Sequence, residues 1–213
     1  MNVENIAVVV VGGGSAAFEA AVAAQQRGAP RVVMLEKAPE PEFGGNARFS
    51  HTGFRFAYSG AKEIRGFLPD MNAAEFDRLH LPGYTPADFS ADLMRVTRGR
   101  INKSLAEVLV NESNAAVHWM DELGMQWEPA GNVEVDGKLY FEPGIVIHPT
   151  GGIGGGISQL HQWRDIATSM GVEIRYESGV RELLGNDRRL EGVRVSGPDG
   201  DYEIRAGATI LCA

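Results

Sequence analysis

The sequence predicts an α/β fold built on a central parallel sheet, and three observations carry that expectation. Two apolar, β-branched runs without polar alternation lie at residues 6–11 and within 31–36, a glycine-free Ala-rich stretch separates them, and a glycine triplet joins the first run to that stretch. Continuous apolar runs suit strands buried on both faces, which is the situation of a parallel sheet covered by helices.

Each element follows in chain order. Ile6-Ala-Val-Val-Val-Val11 reads as the first strand, and residues 15–27 as a helix with Gly28 at its C-terminal cap. Residues 31–36 make the second strand, so β-α-β is complete in about thirty residues, the unit whose crossover is right-handed. Pro39, Pro41, Gly44, Gly45, Gly53 and Gly60 break residues 38–60 into a long loop, and long loops in compact domains usually serve function. Residues 88–98 and 104–123 return to helical spacing. Their apolar positions include Phe89, Leu93, Met94, Val96, Leu105, Val108, Leu109, Val117 and Met120, and Gly124 caps the second helix. Asp136-Gly137 inside 133–141 is a hairpin signal. A helix over 157–170 and a strand over 172–176 begin another β-α-β half, and short strands at 180–184, 190–196, 202–205 and 208–211 form a C-terminal β-meander with tight turns. The organisation is therefore one domain over 1–213: the βαβ unit and loop at 1–60, a mainly helical insertion with a hairpin at 61–150, and the helix, strands and meander at 151–213. The sequence stops directly after the apolar run Thr209-Ile-Leu, so the chain is expected to be the N-terminal part of a longer protein.

Composition narrows the partners. With 28 acidic against 20 basic side chains and a net charge of −8, the chain is a poor match for a nucleic-acid backbone. A lone Cys212 excludes an internal disulfide and fits a reducing, cytoplasmic setting. The run 6–11 follows Glu4 rather than a basic segment and is too short to span a bilayer, so no membrane insertion is expected. No compact His/Cys/Asp/Glu spacing marks a metal site, and no Gly-x-Ser-x-Gly elbow marks a hydrolase. The 27 glycines cluster at 12–14, 44–45 and 151–156, where backbone can approach a ligand closely. The last cluster opens a helix and reads equally as a hinge or as an anion site.

The first cluster is more specific. In Gly12-x-Gly14-x-x-Ala17 the first glycine permits the tight strand-to-helix turn, the second lets backbone reach a pyrophosphate, and Ala17 lets helix and strand pack closely. The helix N-terminus at Ser15 and Ala16 presents unpaired N–H groups and the positive end of the dipole to the phosphates. Glu36 ends the second strand, where a carboxylate accepts hydrogen bonds from a ribose diol. Strand, glycines, small residue, helix, second strand and acid in that order define a Rossmann-like dinucleotide-binding unit. The motif leaves FAD and NAD open. Glu36 argues against NADP, while nearby Arg31 and Lys37 weigh the other way.

FAD is longer than NAD along its flavin arm, and Gly44-Gly45-Asn46-Ala-Arg-Phe-Ser50-His-Thr52-Gly53 supplies a second loop that could follow it. Glu36-Lys37-Ala38-Pro39 followed by Gly44-Gly45-Asn46 resembles the FAD-binding domain of the fumarate reductase and succinate dehydrogenase flavoprotein superfamily. Within that superfamily the chain looks most like the tricarballylate dehydrogenase-like branch. Further carriers are Asp92-Leu-Met-Arg-Val-Thr-Arg-Gly99, His118-Trp-Met-Asp-Glu-Leu-Gly124, Gly154-Gly155-Gly156 and Gly171-Val-Glu-Ile-Arg-Tyr176, so the resemblance runs over nearly the whole chain.

The resemblance implies FAD, held by Gly12, Gly14, Ser15, Ala16, Ala17, Glu36, Lys37, Gly44, Gly45, Asn46, Ser50, Thr52 and Gly53. It adds Val180, whose backbone would contact adenine, and Cys212 and Ala213 on the strand that returns to the cofactor. Ser50-His51-Thr52 spells the string that carries covalent flavin in succinate dehydrogenases, but the register places the covalent position near Gly45 or Asn46, so FAD is expected to be non-covalent. The implied activity is an FAD-dependent oxidoreductase acting on a CH–CH bond of a di- or tricarboxylate, such as tricarballylate or a fumarate/succinate-like substrate, with an electron-transfer partner as a further expectation. A 3-ketosteroid dehydrogenase-like enzyme and a non-redox nucleotide-binding module are the alternatives. The family's substrate-binding and proton-transferring residues lie in a capping domain and C-terminal segment beyond residue 213. No catalytic residue is therefore assigned, and the chain alone is expected to bind FAD weakly and turn over nothing. His118 and His148 are expected to be structural rather than catalytic.

Overall fold

The computed structural model describes residues 2–51, 53–151 and 155–213. In chain order the elements are β1 (Asn2–Val11), α1 (Ser15–Gln26), β2 (Val32–Leu35), α2 (Ala61–Phe67), α3 (Ala73–Phe76), β3 (Leu79–His80), α4 (Pro86–Thr97), α5 (Lys103–Glu122), β4 (Trp127–Pro129), β5 (Asn132–Val135), β6 (Lys138–Phe141), β7 (Ile147–Pro149), α6 (Gly156–Ser169), β8 (Glu173–Arg175), β9 (Gly179–Asn186), β10 (Arg189–Gly197) and β11 (Gly200–Leu211). Two 3₁₀ turns, Glu40–Glu42 and Gly45–Phe49, give regular structure to the stretch read as loop. The chain divides into two compact units, Met1–Ser50 with Gly154–Ala213, and His51–Ile153.

The first unit holds a six-stranded sheet in the order β8-β2-β1-β11-β10-β9. Strands β8, β2, β1 and β11 run parallel, while β10 and β9 extend the sheet antiparallel. The predicted β-α-β unit and α/β class are present, and the reason is legible in burial: β2 is buried at every position, and β1 is buried at Val9, Val10 and Val11 where neighbours flank it. Alternation is absent because neither face meets water. One core cluster joins Ile6, Val9, Val11, Val33 and Leu35 to Val193, Val195 and Ile204, tying the parallel strands to the meander. Helix α1 buries Ala17, Phe18, Ala21 and Val22 and packs on β1, β2 and α6.

One sequence expectation is corrected here. The segments 202–205 and 208–211 are not two strands but parts of one, β11, which pairs with β1 from Asn2↔Tyr202 to Val11↔Leu211. Gly207 lies between the two expected segments. In the sheet it is a close-approach position: a Cβ there would stand 2.8 Å from the Ala7 carbonyl oxygen.

A charged lattice fastens β8 to its neighbours. Arg175 donates two hydrogen bonds to Glu4, at 3.0 and 2.8 Å, and one to Glu173 at 2.7 Å, while Arg31 also reaches Glu173 at 2.7 Å. Hydrogen bonding to Arg175 holds the Glu4 carboxyl below its ordinary range against the effect of burial. Burial pushes Glu173 up, but the hydrogen bonds from Arg31 and Arg175 outweigh it and its pKa is lowered as well. Depressed carboxylate pKa values stabilise the fold above the ordinary glutamate value of about 4.3 and lose that contribution as pH falls through the folded value. Arg175→Met should therefore cost about 1–2 kcal/mol at neutral pH, between exposed and buried pairs. The deficit against wild type should shrink in acid, where the carboxylates are protonated in both proteins; a deficit in denaturant melts that stays constant from pH 7 to pH 3 would contradict this.

The second unit carries the helical insertion. Thr85 and Asp88 form a capping box with Pro86 at the first turn of α4, and Asn102 caps α5. The two helices pack on each other, but the buried stripe is Phe89 on α4 and Val110, Ser113, Val117 and Met120 on α5. Val96, Leu105, Val108 and Leu109, apolar by sequence, remain exposed. A stripe at positions 110, 113, 117 and 120 follows one helical face, whereas the wider apolar set spans more of the circumference than that face can bury. The Asp136-Gly137 hairpin forms as expected between β5 and β6, with β3 pairing alongside β6, and β4 and β7 form a separate pair. Among the described residues no helix is long and apolar enough to cross a membrane.

Candidate functional site: a dinucleotide cleft

At the C-terminal ends of β1, β2 and β11 the first unit opens a cleft of about 1100 Å³. Ligands of open α/β sheets bind at this edge because helix N-termini and strand-following loops converge there. Gly12 makes the turn out of β1. Its φ of +121° favours glycine, its N–H donates to the Leu35 carbonyl at 2.9 Å, and a Cβ would stand 2.7 Å from the Cys212 carbonyl oxygen. The three central strands therefore meet around one residue.

Gly14 caps α1 with no side-chain acceptor, and the first turn of α1 contains no acid. The Ala17 and Phe18 N–H groups both donate to the Gly14 carbonyl, at 3.0 and 3.2 Å, leaving the Ser15 and Ala16 end of the helix at the cleft wall. An uncapped helix start with no acid in its own first turn suits a phosphate.

Glu36 is 6% exposed, yet it lines the cleft. Its Oε1 accepts from the Ala38 N–H at 2.7 Å, and its other oxygen occupies the space a Gly13 side chain would need. The Glu36 N–H donates to the Arg175 carbonyl at 2.9 Å and its carbonyl accepts from Ser178 at 2.8 Å, while the Glu177 N–H donates to Ala38 at 3.0 Å. Both sides of the acid are thereby fixed. A carboxylate has about four acceptor positions, and Ala38 takes one, so capacity remains for a vicinal diol.

The opposite wall is the Gly44–Asn46 loop. Gly44 takes φ +113° ahead of the 3₁₀ turn, and its carbonyl oxygen lies 3.5 Å from where a Gly14 Cβ would be, so the loop faces the phosphate end of α1. Val180 closes the cleft from β9, and Cys212 and Ala213 form its floor beyond β11, where the Cys212 N–H donates to Val11 at 2.8 Å. Burial, with the charge of Glu19, pushes the Cys212 thiol up, so it stays protonated at neutral pH.

The structure thus brings Gly12, Gly14, Ser15, Ala16, Glu36, Lys37, Gly44, Gly45, Asn46, Val180, Cys212 and Ala213 to one cleft. Ala17 is fully buried against the sheet instead. Ser50 closes the 3₁₀ turn, its N–H and hydroxyl both donating to the Ala47 carbonyl at 3.1 and 2.9 Å. Gly53 belongs to the other unit, and Thr52 lies outside the described residues. Of the third glycine cluster, residues 152–154 also lie outside them; Gly155 caps α6 and Gly156 begins it. His118 packs on Phe67, the rings tilted with centroids 4.7 Å apart, and pairs with Glu63, and His148 is buried with Nδ1 2.9 Å from the Pro149 carbonyl oxygen, both in the second unit. Sequence reasoning missed Gly13, Ser178 and Gly179, which also line the cleft. Gly13 was readable as the third member of the triplet, whereas Ser178 and Gly179 arrive through pairing with residues 36–38 that no local pattern announces.

Fold and cleft together define a dinucleotide-binding protein of the Rossmann-like class. The uncapped helix start, the acid fixed beside Gly13 and the glycine loop facing Gly14 fit the adenosine and pyrophosphate parts of such a ligand. Residues 7–213 match the family model described as "FAD binding domain", and the chain belongs to that family. Its cofactor is FAD.

The solved structures agree on the fold. The open conformation of a flavocytochrome c3 fumarate reductase is 27% identical with a TM-score of 0.72, covering 98% of this chain and 33% of that one. A 3-ketosteroid-Δ4-(5α)-dehydrogenase from Rhodococcus jostii RHA1 is 21% identical with a TM-score of 0.70, covering 98% and 45%. The E. coli quinol fumarate reductase FrdA is 15% identical with a TM-score of 0.66, covering 100% and 33%. The chain therefore spans between a third and under half of these proteins. No curated protein matches the sequence.

Proposed function

We propose that the chain is the FAD-binding part of an oxidoreductase that moves a hydride to or from a carbon of a di- or tricarboxylate, with tricarballylate or a fumarate/succinate-like acid as substrate. The single observation that carries this is the 27% identity to a flavocytochrome c3 fumarate reductase across 98% of the chain; the steroid dehydrogenase likeness, at 21%, supports the fold alone. When bound, the flavin supplies the hydride chemistry. The protein's own part is to hold and orient it. Glu36 accepts from the ribose, the start of α1 receives the pyrophosphate, and the Gly44–Asn46 loop guides the flavin arm. We infer that FAD is non-covalent, because matching Gly44-Gly45-Asn46 to the family pattern puts the covalent position near Gly45 or Asn46, with His51 several residues later.

The longer protein should purify yellow or become yellow on adding FAD, and its reduced flavin should be reoxidised by fumarate or an unsaturated tricarboxylate. A colourless preparation that resists reconstitution would sink the flavoenzyme reading, and reoxidation by a steroid enone in place of the acids would sink the substrate class. Yellow colour carried into an acid-denatured pellet would overturn non-covalent binding.

A further inference from the structure

We infer that Gly156 and Leu160 of α6, neither of which lines the cleft, are positioning residues for FAD, because α6 holds the loop that carries Gly44, Gly45 and Asn46. The inference rests on FAD occupying the described cleft.

Two contacts lock helix and loop together. Gly156 packs so closely on the 3₁₀ turn that a Cβ there would overlap the Ala47 carbonyl oxygen and stand 2.9 Å from that of Arg48, while its N–H donates to the Ser50 carbonyl at 3.1 Å. One turn along, a Leu160 methyl fills the space that a Gly44 side chain would take, and Leu160 is fully buried. The loop is also pinned before the glycines: Phe43, 2% exposed, sits between Phe18 of α1 at 5.9 Å and His161 of α6 at 5.8 Å. The placement of Gly44 opposite Gly14 is therefore inherited from α6. A helix is a stiff support, and a loop wedged on backbone carbonyls cannot yield as a flexible side chain would.

Gly156 does not take a positive φ, so alanine there strains no backbone torsion and harms only the contact with the turn. Gly156→Ala in the full-length protein should keep a wild-type far-ultraviolet spectrum, bind FAD about tenfold or more weakly, and show an altered visible circular dichroism of the bound flavin, as expected for an overpacked contact. Thr168→Ala, exposed on the same helix, should match wild type. Wild-type affinity and visible spectrum in Gly156→Ala would overturn the inference. If that variant fails to fold, Leu160→Ala decides: it should weaken FAD about threefold or more and change the flavin signal, and unchanged binding would overturn the inference. A wild-type protein that takes up no FAD would instead remove the occupancy on which the inference rests.

Discussion

Gly12→Ala should reduce FAD affinity at least about a hundredfold and lower the melting temperature of the apoprotein by about 4–10 °C. Two costs add. A φ of +121° is strained for any residue with a side chain, at about 1–3 kcal/mol. The new methyl would also stand 2.7 Å from the Cys212 carbonyl oxygen, which is backbone and is held by the Cys212–Val11 hydrogen bond. Relief requires β1 and β11 to part at their C-terminal ends, where the cleft floor lies. Calorimetric melting with and without FAD and a binding titration measure both effects, and an FAD dissociation constant within threefold of wild type would refute the assignment of this turn.

Glu36→Gln isolates the chemistry of the ribose contact from the shape of the site. The amide can keep the hydrogen bond from Ala38, so the melting temperature should change little. Replacing a charged acceptor removes about 1.5–3 kcal/mol per hydrogen bond to the diol, so FAD affinity should fall about tenfold to a hundredfold. ADP, which carries the same ribose, should weaken in parallel. Equal loss for FAD and for riboflavin, which has no adenosine, would contradict a ribose role for Glu36.

How much of this was readable from the sequence depended on the range of the interaction. The β1-α1-β2 unit was legible because its signals are local: an unbroken apolar run, a glycine turn, a glycine-free helix and a terminal acid. The Asp136-Gly137 hairpin and the start of α6 were legible for the same reason. Residues whose roles arise from distant pairing were not. The strands expected at 202–205 and 208–211 are one because Gly207 fits beside Ala7, and Glu177–Gly179 form a cleft wall only through hydrogen bonds to residues 36 and 38. The apolar faces of α4 and α5 were overdrawn because spacing shows which positions share a face but not how much of it is covered.

The parallel pairing of β1 with β11 bears on the order in which the site comes into being. Each β1 residue meets a partner 200 positions later, Asn2 with Tyr202 and Val11 with Leu211, so the first half of the nucleotide motif is synthesised long before the strand that floors it. Closing so wide a loop is slow, and high contact order delays folding. A nascent chain holding Gly12, Gly14 and Glu36 but lacking β11 has the signature without the receptor. Cofactor capture is then a late event in the life of the polypeptide, timed by the arrival of a strand that carries little of the recognisable motif.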